Sequence, residues 1–561
     1  MITEQGPGHA ARGIRWSARA SIAAAACLAV GVTGALPATA TPASTSTSAD
    51  APETETESES VDGGTLGDSA WGDVSATEVA DSLVGGVWRA TRDEGSLSSV
   101  TSTLGLTSAL TRRSTGKGIT VAVIDTGIAR VEGLDAPGKV VNGPDLSFDG
   151  QRAGTRYADG FGHGTHMAGI IAGRDASSTG FTGVAPDAQL LNMKVGAADG
   201  AADPSQVIAA LDWVVAHRRD RGMNVRVVNL AYGTQSVQPW QVDPLARAVE
   251  NAWNAGIVVV AAAGNDGLDA PSLLMPAVDP HVLAVGAVDH VGTASTADDV
   301  VADFSNGGSA TRRPDVIAPG RSIVSLRVPG SYIDTFHPEG RVAGDATGRF
   351  FRGSGTSQAT AVTAGEVALL LQARPSLTPD QVKALLRATA DPLVNSRPEM
   401  GAGVTDVVRA MNTLLLGLRL GSSLPDGTGT GSLEASRGGE HVVDPDSGRL
   451  LSGEVDALGS VWDGAAWSAA SGRQKAWKGG AWNGRTWTGD GWVGDDHRAA
   501  TWDGDSWSGD PWAAHTWSDS VWEGRSWRNS GWEGRSWRAD SWLGRSWRAG
   551  GWVGRSWRSV S

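Results

Sequence analysis

The chain has 561 residues, of which 40% are hydrophobic and 19% charged, with a formal net charge of −14. That length holds more than one folding unit, and an acidic balance without a strongly basic block excludes a nucleic-acid binder on charge grounds. The single cysteine, Cys27, excludes a disulfide framework.

Arg12, Arg15 and Arg19 precede an apolar run over residues 21–36, and Pro37-Ala38-Thr39-Ala40 offers small residues for cleavage. This is the pattern of a secretory signal over residues 1–40, so the mature chain is expected to be secreted, without a membrane span and without Cys27. Residues 41–67 are rich in Ser, Thr, Glu and Pro, a composition that cannot bury enough apolar surface to fold. Residues 68–97 show weak helical patterning around Trp71 and Trp88. From Thr101 the pattern changes to alternating strands and helices, and one domain is expected over 98–415. Helices are expected to open at Asp203-Pro204, Asp243-Pro244 and Thr378-Pro379, each an N-cap followed by proline. Val225–Ala231, Ile257–Ala263 and Val282–Val288 read as apolar strands. The alternation predicts an α/β fold with a mostly parallel central sheet and helices on both faces.

Residues 416–460 are Gly/Ser/Asp-rich and read as a linker or small appendage. From Trp462 to Trp557 a five-residue lattice carries Trp at eighteen of twenty positions, Gly472 and His497 excepted. Five residues fit neither a helix nor a strand period, so each unit of the 461–561 region needs a turn, which a Gly two residues after Trp can supply. Two readings stay open: a self-stacking Trp/Arg ladder or floppy tail without a ligand, and an adhesive array for cell-wall glycan or anionic wall polymer.

Three segments carry the chemistry. Gly118-Ile-Thr-Val-Ala-Val-Ile-Asp125 reads as a buried strand ending in an acid. Asp159-Gly-Phe-Gly-His163-Gly-Thr-His166 reads as a Gly-rich turn opening a helix with histidine at its tip. Gly353-Ser-Gly-Thr-Ser357 is a tight turn that delivers a serine to the start of an apolar helix. A serine hydroxyl becomes a nucleophile only when a base takes its proton, and the unpaired N–H groups of a helix start can hold an oxyanion. Gly-Thr-Ser alone is also what an ordinary N-cap looks like; the chain order Asp125, His163, Ser357 adds the base and the acid that orients it. His166 lies near His163 on one helix face, but no third ligand has zincin spacing, so it reads as a packing residue.

With these motifs the chain resembles the subtilisin-like (subtilase, S8) serine peptidases from about Gly118 to about Asp406. Thr182–Ala188, Val228–Gly233, Ala261–Asn265, Pro276-Ala277, Ala302–Asn306 and Ile317–Gly320 also match. The resemblance implies a subtilisin-like three-layer α/β fold, with Asp125, His163 and Ser357 as the catalytic triad. Asn265 would form the oxyanion hole with the Ser357 N–H. Substrate would lie as an added strand against Ala231, Tyr232 and Gly233, with Ala261, Ala262, Ala263 and Gly264 lining the primary specificity cleft. It further implies a secreted endopeptidase acting on polypeptides through an acyl-enzyme, and a pro-segment within 41–97 that is shorter than in relatives. No cofactor is required for the chemistry; structural calcium is compatible with the resemblance, but its ligands are unknown. The alternative is a wall-binding or assembly protein whose peptidase domain serves its own maturation.

Gln358 stands where relatives carry a methionine beside the nucleophile. Thioether oxidation at that position is thereby removed. Turnover should survive peroxide concentrations that inactivate a Gln358→Met variant, measured as residual casein hydrolysis against exposure time.

Overall fold

The computed structural model describes residues 82–107, 114–151, 156–175, 180–395 except 292 and 294, 397–416, 424–439, 441–442, 450–487 and 495–496. All belong to the unit spanning Asp68–Ser561. The expected signal, the Ser/Thr/Glu-rich segment and the repeats past residue 496 lie outside the described residues.

Seven strands form the parallel heart of the sheet: β1 (Thr120–Asp125), β2 (Val140–Asn142), β3 (Gln189–Lys194), β4 (Val225–Leu230), β5 (Val258–Ala262), β6 (Leu283–Asp289) and β7 (Val316–Pro319). Their order is β7-β6-β5-β4-β1-β3-β2, each pair parallel. Val300–Val301 and Asp495–Asp496 add short antiparallel pairs, which makes the sheet mostly parallel, as expected. Every residue of β1, β5 and β7 is buried. Full burial explains why these strands read as continuous apolar runs, since parallel sheets are covered on both faces.

The principal helices are α1 (His163–Ala172), α2 (Pro204–His217), α3 (Pro244–Asn254), α4 (Thr356–Ala373) and α5 (Pro379–Thr389). α1 packs on α4, which crosses β4, β5 and β6, while α2 packs on α3. The expected helix starts are present. Asp203 accepts from Ser205 N at 3.0 Å, Asp243 from Leu245 N at 2.8 Å and Thr378 from Gln381 N at 3.3 Å. The chain runs from central β1 out to edge β2, back through β3, and then to β4 on the far side of β1. The switch point thus lies at the C-terminal end of β1, where such sheets open a crevice.

Residues 82–97, the described part of the expected pro-segment, are fastened to the domain. Trp88 lies 5.1 Å from the Phe350 ring and donates to Asp93 at 2.7 Å. Asp93 takes a bidentate contact from Arg352, and Gly95 O accepts from Val324 N at 2.8 Å. A buried ion pair lost on one side is costly, so this segment is held rather than draped.

The described parts of the presumed linker and of the tryptophan lattice also pack on the domain, through α2 and α3. A helix at Leu433–Arg437 buries Arg437 completely, its Nε 2.6 Å from Asp203 Oδ2. A second helix, Gly464–Ser471, brings Trp467 Nε1 to 2.8 Å from Asp212 Oδ2, and Trp482 Nε1 reaches the same oxygen at 2.9 Å. Ser471 Oγ donates to Asp212 Oδ1. Between the tryptophans lie two-residue antiparallel strands, Trp477–Lys478, Ala481–Trp482 and Arg485–Thr486. Their turns run through Gly479-Gly480 and Asn483-Gly484, all four at positive φ. Here the glycine two residues after Trp482 does supply the turn that the five-residue spacing requires.

Burial pushes the Asp212 carboxyl up to about 6, against the opposing hydrogen bonds from Ser471, Trp482 and Trp467. A carboxyl raised in the folded state contributes stability that is fully present below its unfolded value of about 4 and is lost as pH rises through about 6. The stability of wild type relative to Asp212→Asn should therefore fall by on the order of 3 kcal/mol between pH 4 and pH 7. Urea unfolding of both proteins at the two pH values measures it; parallel profiles would refute it.

Candidate active site

Asp125 is the last residue of β1, at the switch point, and is fully buried. Its Oδ1 accepts from Thr126 N at 2.8 Å and meets His163 Nδ1 at 2.7 Å. His163 opens α1 and is 3% exposed. With Nδ1 committed to the carboxylate, Nε2 is the nitrogen left for proton transfer. Ser357 is the second residue of α4 and is only partly buried, so its hydroxyl stands at a helix N-terminus within reach of solvent.

Asn265 follows β5. Its Oδ1 accepts from Thr356 N at 2.8 Å and from Thr356 Oγ1 at 3.0 Å, and Thr356 Oγ1 in turn accepts from Gly264 N at 3.2 Å. Fixing the amide oxygen this way fixes where the amide nitrogen points. A methyl group placed on Gly355 would lie 3.6 Å from both Asn265 Nδ2 and Ser357 N. Two donors therefore face one small space beside the serine, the arrangement an oxyanion needs. Gly355 is extended, with φ 164°, so that space is kept clear by the missing side chain and not by an unusual backbone.

The residues expected on the substrate side lie at the C-terminal ends of two neighbouring strands. Ala231, Tyr232 and Gly233 continue from the end of β4, while Ala261 and Ala262 end β5 and Ala263 and Gly264 lead on to Asn265. Tyr232 is 2% exposed, so its ring is a buried wall.

Several supporting residues carry no recognisable motif. Asp159 is fully buried, accepts from Gly162 N at 2.6 Å, Thr165 N at 2.7 Å and Thr126 Oγ1 at 2.8 Å, and so ties the α1 start to the residue after Asp125. Burial raises its carboxyl pKa, with the backbone bonds from Gly162 and Thr165 opposing. Lys194 ends β3 with no exposure and donates to Thr126 O at 3.2 Å and Ala158 O at 2.6 Å. The sequence signal for it was a charged residue closing an apolar strand. His166 lies inside the protein, and burial together with the nearby His163 holds its pKa well below the ordinary histidine value. A neutral packed imidazole agrees with its reading as a structural residue.

Among the described residues one group of metal-ligand type comes together, Glu250, Asp279 and His281. It fits a metal poorly. Arg247 pairs with Glu250 at 3.0 Å, and His281 Nδ1 lies 2.9 Å from Asp279 Oδ1. Burial works against the His281 proton, but the bond and charge of Asp279, the Leu424 carbonyl and Glu250 outweigh it and raise the histidine pKa. The carboxylates are thus already neutralised by side-chain cations, and calcium, which takes six to eight oxygens, finds no such set here.

Residues 116–414 match the family model described as the subtilase family. The serine protease AprX of Bacillus subtilis is 41% identical over 300 residues, which cover 52% of this chain and 66% of that protein. Subtilisin BL of Lederbergia lenta is 35% identical over 296 residues, covering 53% of this chain and 91% of that one. A solved structure of a cold-adapted subtilisin-like serine proteinase aligns at 30% identity over 52% of this chain and 88% of that chain, with a TM-score of 0.38. The chain therefore spans somewhat under two thirds of the length of the first of these.

Gly355→Ala should leave the fold in place, because its backbone suits any residue, while the new methyl group crowds Gln358 Oε1 at 2.8 Å and enters the space between the two donors. Removing one oxyanion donor costs about 10²–10³ in turnover, and a loss of at least about 10² is expected here with the melting temperature within a few degrees of wild type. Undiminished turnover in the folded variant would mean that the donors do not serve an oxyanion at that place.

Proposed function

The chain belongs to the subtilase family, and from that membership we propose that it is a secreted serine endopeptidase that cleaves polypeptides through an acyl-enzyme. The observation that carries the reading is the 2.7 Å contact between His163 Nδ1 and the buried Asp125, at the C-terminal end of the central strand. Ser357 Oγ attacks the scissile carbonyl while His163 Nε2 takes its proton. The carbonyl oxygen, now negative, is held by Asn265 Nδ2 and Ser357 N–H. As the tetrahedral adduct collapses, the C–N bond breaks, His163 returns the proton to the leaving amine, and the acyl group stays on Ser357. Water then repeats the sequence and frees the acid. Asp125 keeps the imidazole in the useful tautomer and stabilises its cation. Secretion rests on the signal pattern of residues 1–40.

The tail reading is attachment to cell-wall glycan or anionic wall polymer through the tryptophan lattice. Trp467 and Trp482 bury their rings and spend their N–H groups on Asp212, which withdraws them from any ligand. The attachment role therefore falls to the lattice positions after Trp487. The alternative, a wall-binding or assembly protein with a self-processing domain, shares the same tail.

Labelling of the secreted protein by a fluorophosphonate probe, beside Ser357→Ala and with casein turnover in parallel, tests the peptidase. Both signals are expected in wild type and neither in the variant; a folded wild-type protein that does not label would overturn the reading. For the tail, a stop after Trp487 should keep turnover and abolish retention on isolated cell walls. A cut after Ser460 should also lower stability, because it strips Trp467, Ser471 and Trp482 from Asp212.

A further inference from the structure

The two walls of the primary specificity cleft are Ala231–Gly233 and Ala261–Gly264, and both would be open slots if only their glycines were considered. They are not open. A Cβ on Gly233 would fall 2.7 Å from Leu274 Cβ and 3.0 Å from Leu274 Cδ1; one on Gly264 would fall 2.8 Å from Leu274 Cγ. The same leucine therefore fills the space that Gly233 leaves free and shares with Asn306, whose Nδ2 would lie 2.6 Å away, the space that Gly264 leaves free. Its backbone is stitched to each wall. Leu274 N donates to Ala263 O at 3.0 Å, and the next residue, Met275, exchanges two bonds of 2.9 Å with Thr234. Leu274 cannot withdraw without breaking the floor away from the walls. Leu274 also lines a cavity of about 710 Å³, together with Trp240, Leu273, Met275 and Val278.

We propose that Leu274 is a partition: it closes the floor of the specificity cleft and separates it from the cavity behind, so the residue preceding the cut must be small, namely Gly, Ala or Ser. This deepens the peptidase reading above and rests on it. A branched C4 side chain held at both walls takes up the room that a large side chain before the cut would need, and overfilling a packed site forces side chains and backbone to move. Replacing Leu274 by glycine would join cleft and cavity and give a long side chain somewhere to go. Discrimination by a pocket follows the fit of the transition state, and single apolar groups change it by roughly 10–200-fold.

The test uses the secreted full chain and a pair of peptide p-nitroanilides that differ only in Ala or Phe before the cut. Wild type should favour Ala in kcat/KM by at least about tenfold, and Leu274→Gly should shift the Ala/Phe ratio at least about tenfold toward Phe, with Leu274→Ala between them. Mass-spectrometric mapping of cuts in denatured casein by wild type alone keeps the question open to refutation even if both variants misfold; cuts should follow Gly, Ala and Ser. Equal cleavage after Phe and Ala by wild type, or an unchanged ratio in a folded, fluorophosphonate-labelled Leu274→Gly, would overturn the partition while leaving the peptidase standing. Wild type that does not label would overturn both.

Discussion

The site depends on how closely the helix that begins at His163 can lie against its neighbours. A Cβ on Gly164 would overlap the Gly127 carbonyl oxygen, and one on Gly365 would sit 2.6 Å from Val184 Cβ. A side chain at Gly164 would push α1 off the loop after β1, and one at Gly365 would push α4, which carries Ser357, off Val184, whose N–H donates to Ile170 O of α1 at 2.9 Å. A shift of about an ångström in such a constellation costs orders of magnitude in rate. The close approach is therefore what sets the start of α1 against the end of β1, and the densely packed sheet beneath resists relaxation of that distance.

Around this contact the electrostatics are arranged in the interior, where charges must be matched. Lys194 bonds the carbonyls of Thr126 and Ala158, the first just after Asp125 and the second just before the turn that carries His163. Asp159 bonds the N–H groups of that turn and the Thr126 hydroxyl. One cation thus gathers the outgoing carbonyls and one carboxyl the incoming amides. Each would be costly alone in the interior; their fixed partners make them a frame that holds the acid and the base in register.

How much of this was legible in the sequence follows from how far each determinant acts. Helix starts at Asp203, Asp243 and Thr378 are local contacts over two or three residues and were readable directly. The sheet was readable because full burial writes itself as apolar runs such as Val121–Ile124 and Val258–Val260. The Asp125–His163 contact was readable because its chemistry restricts residue type within tight Gly-rich turns. The roles of Lys194, Thr356 and Leu274 were not, since each acts through space on residues ten or more positions away and its own neighbourhood does not say which. The attachment of segment 82–97 and of residues 416–460, read as a linker or small appendage, was hidden for a related reason. Their compositions are loop-like, but single buried pairs, Asp93 with Arg352 and Asp203 with Arg437, fasten them to the domain.

The seat that α2 offers to the C-terminal residues has a bearing on the order in which the protein becomes whole. Asp203 and Asp212 are buried carboxyls in the first and third turns of that helix, and their partners Arg437, Trp467, Ser471 and Trp482 follow more than two hundred residues later. A chain emerging from its N-terminus makes the strands, α1 and Ser357 well before those partners appear. In that interval Asp212 faces a surface with nothing on it, which water must cover, while Asp203 keeps its cap bond from Ser205 N but lacks its cation. A product broken off ahead of residue 437 keeps that defect permanently, with a buried-type carboxyl left open to water on the α2 face.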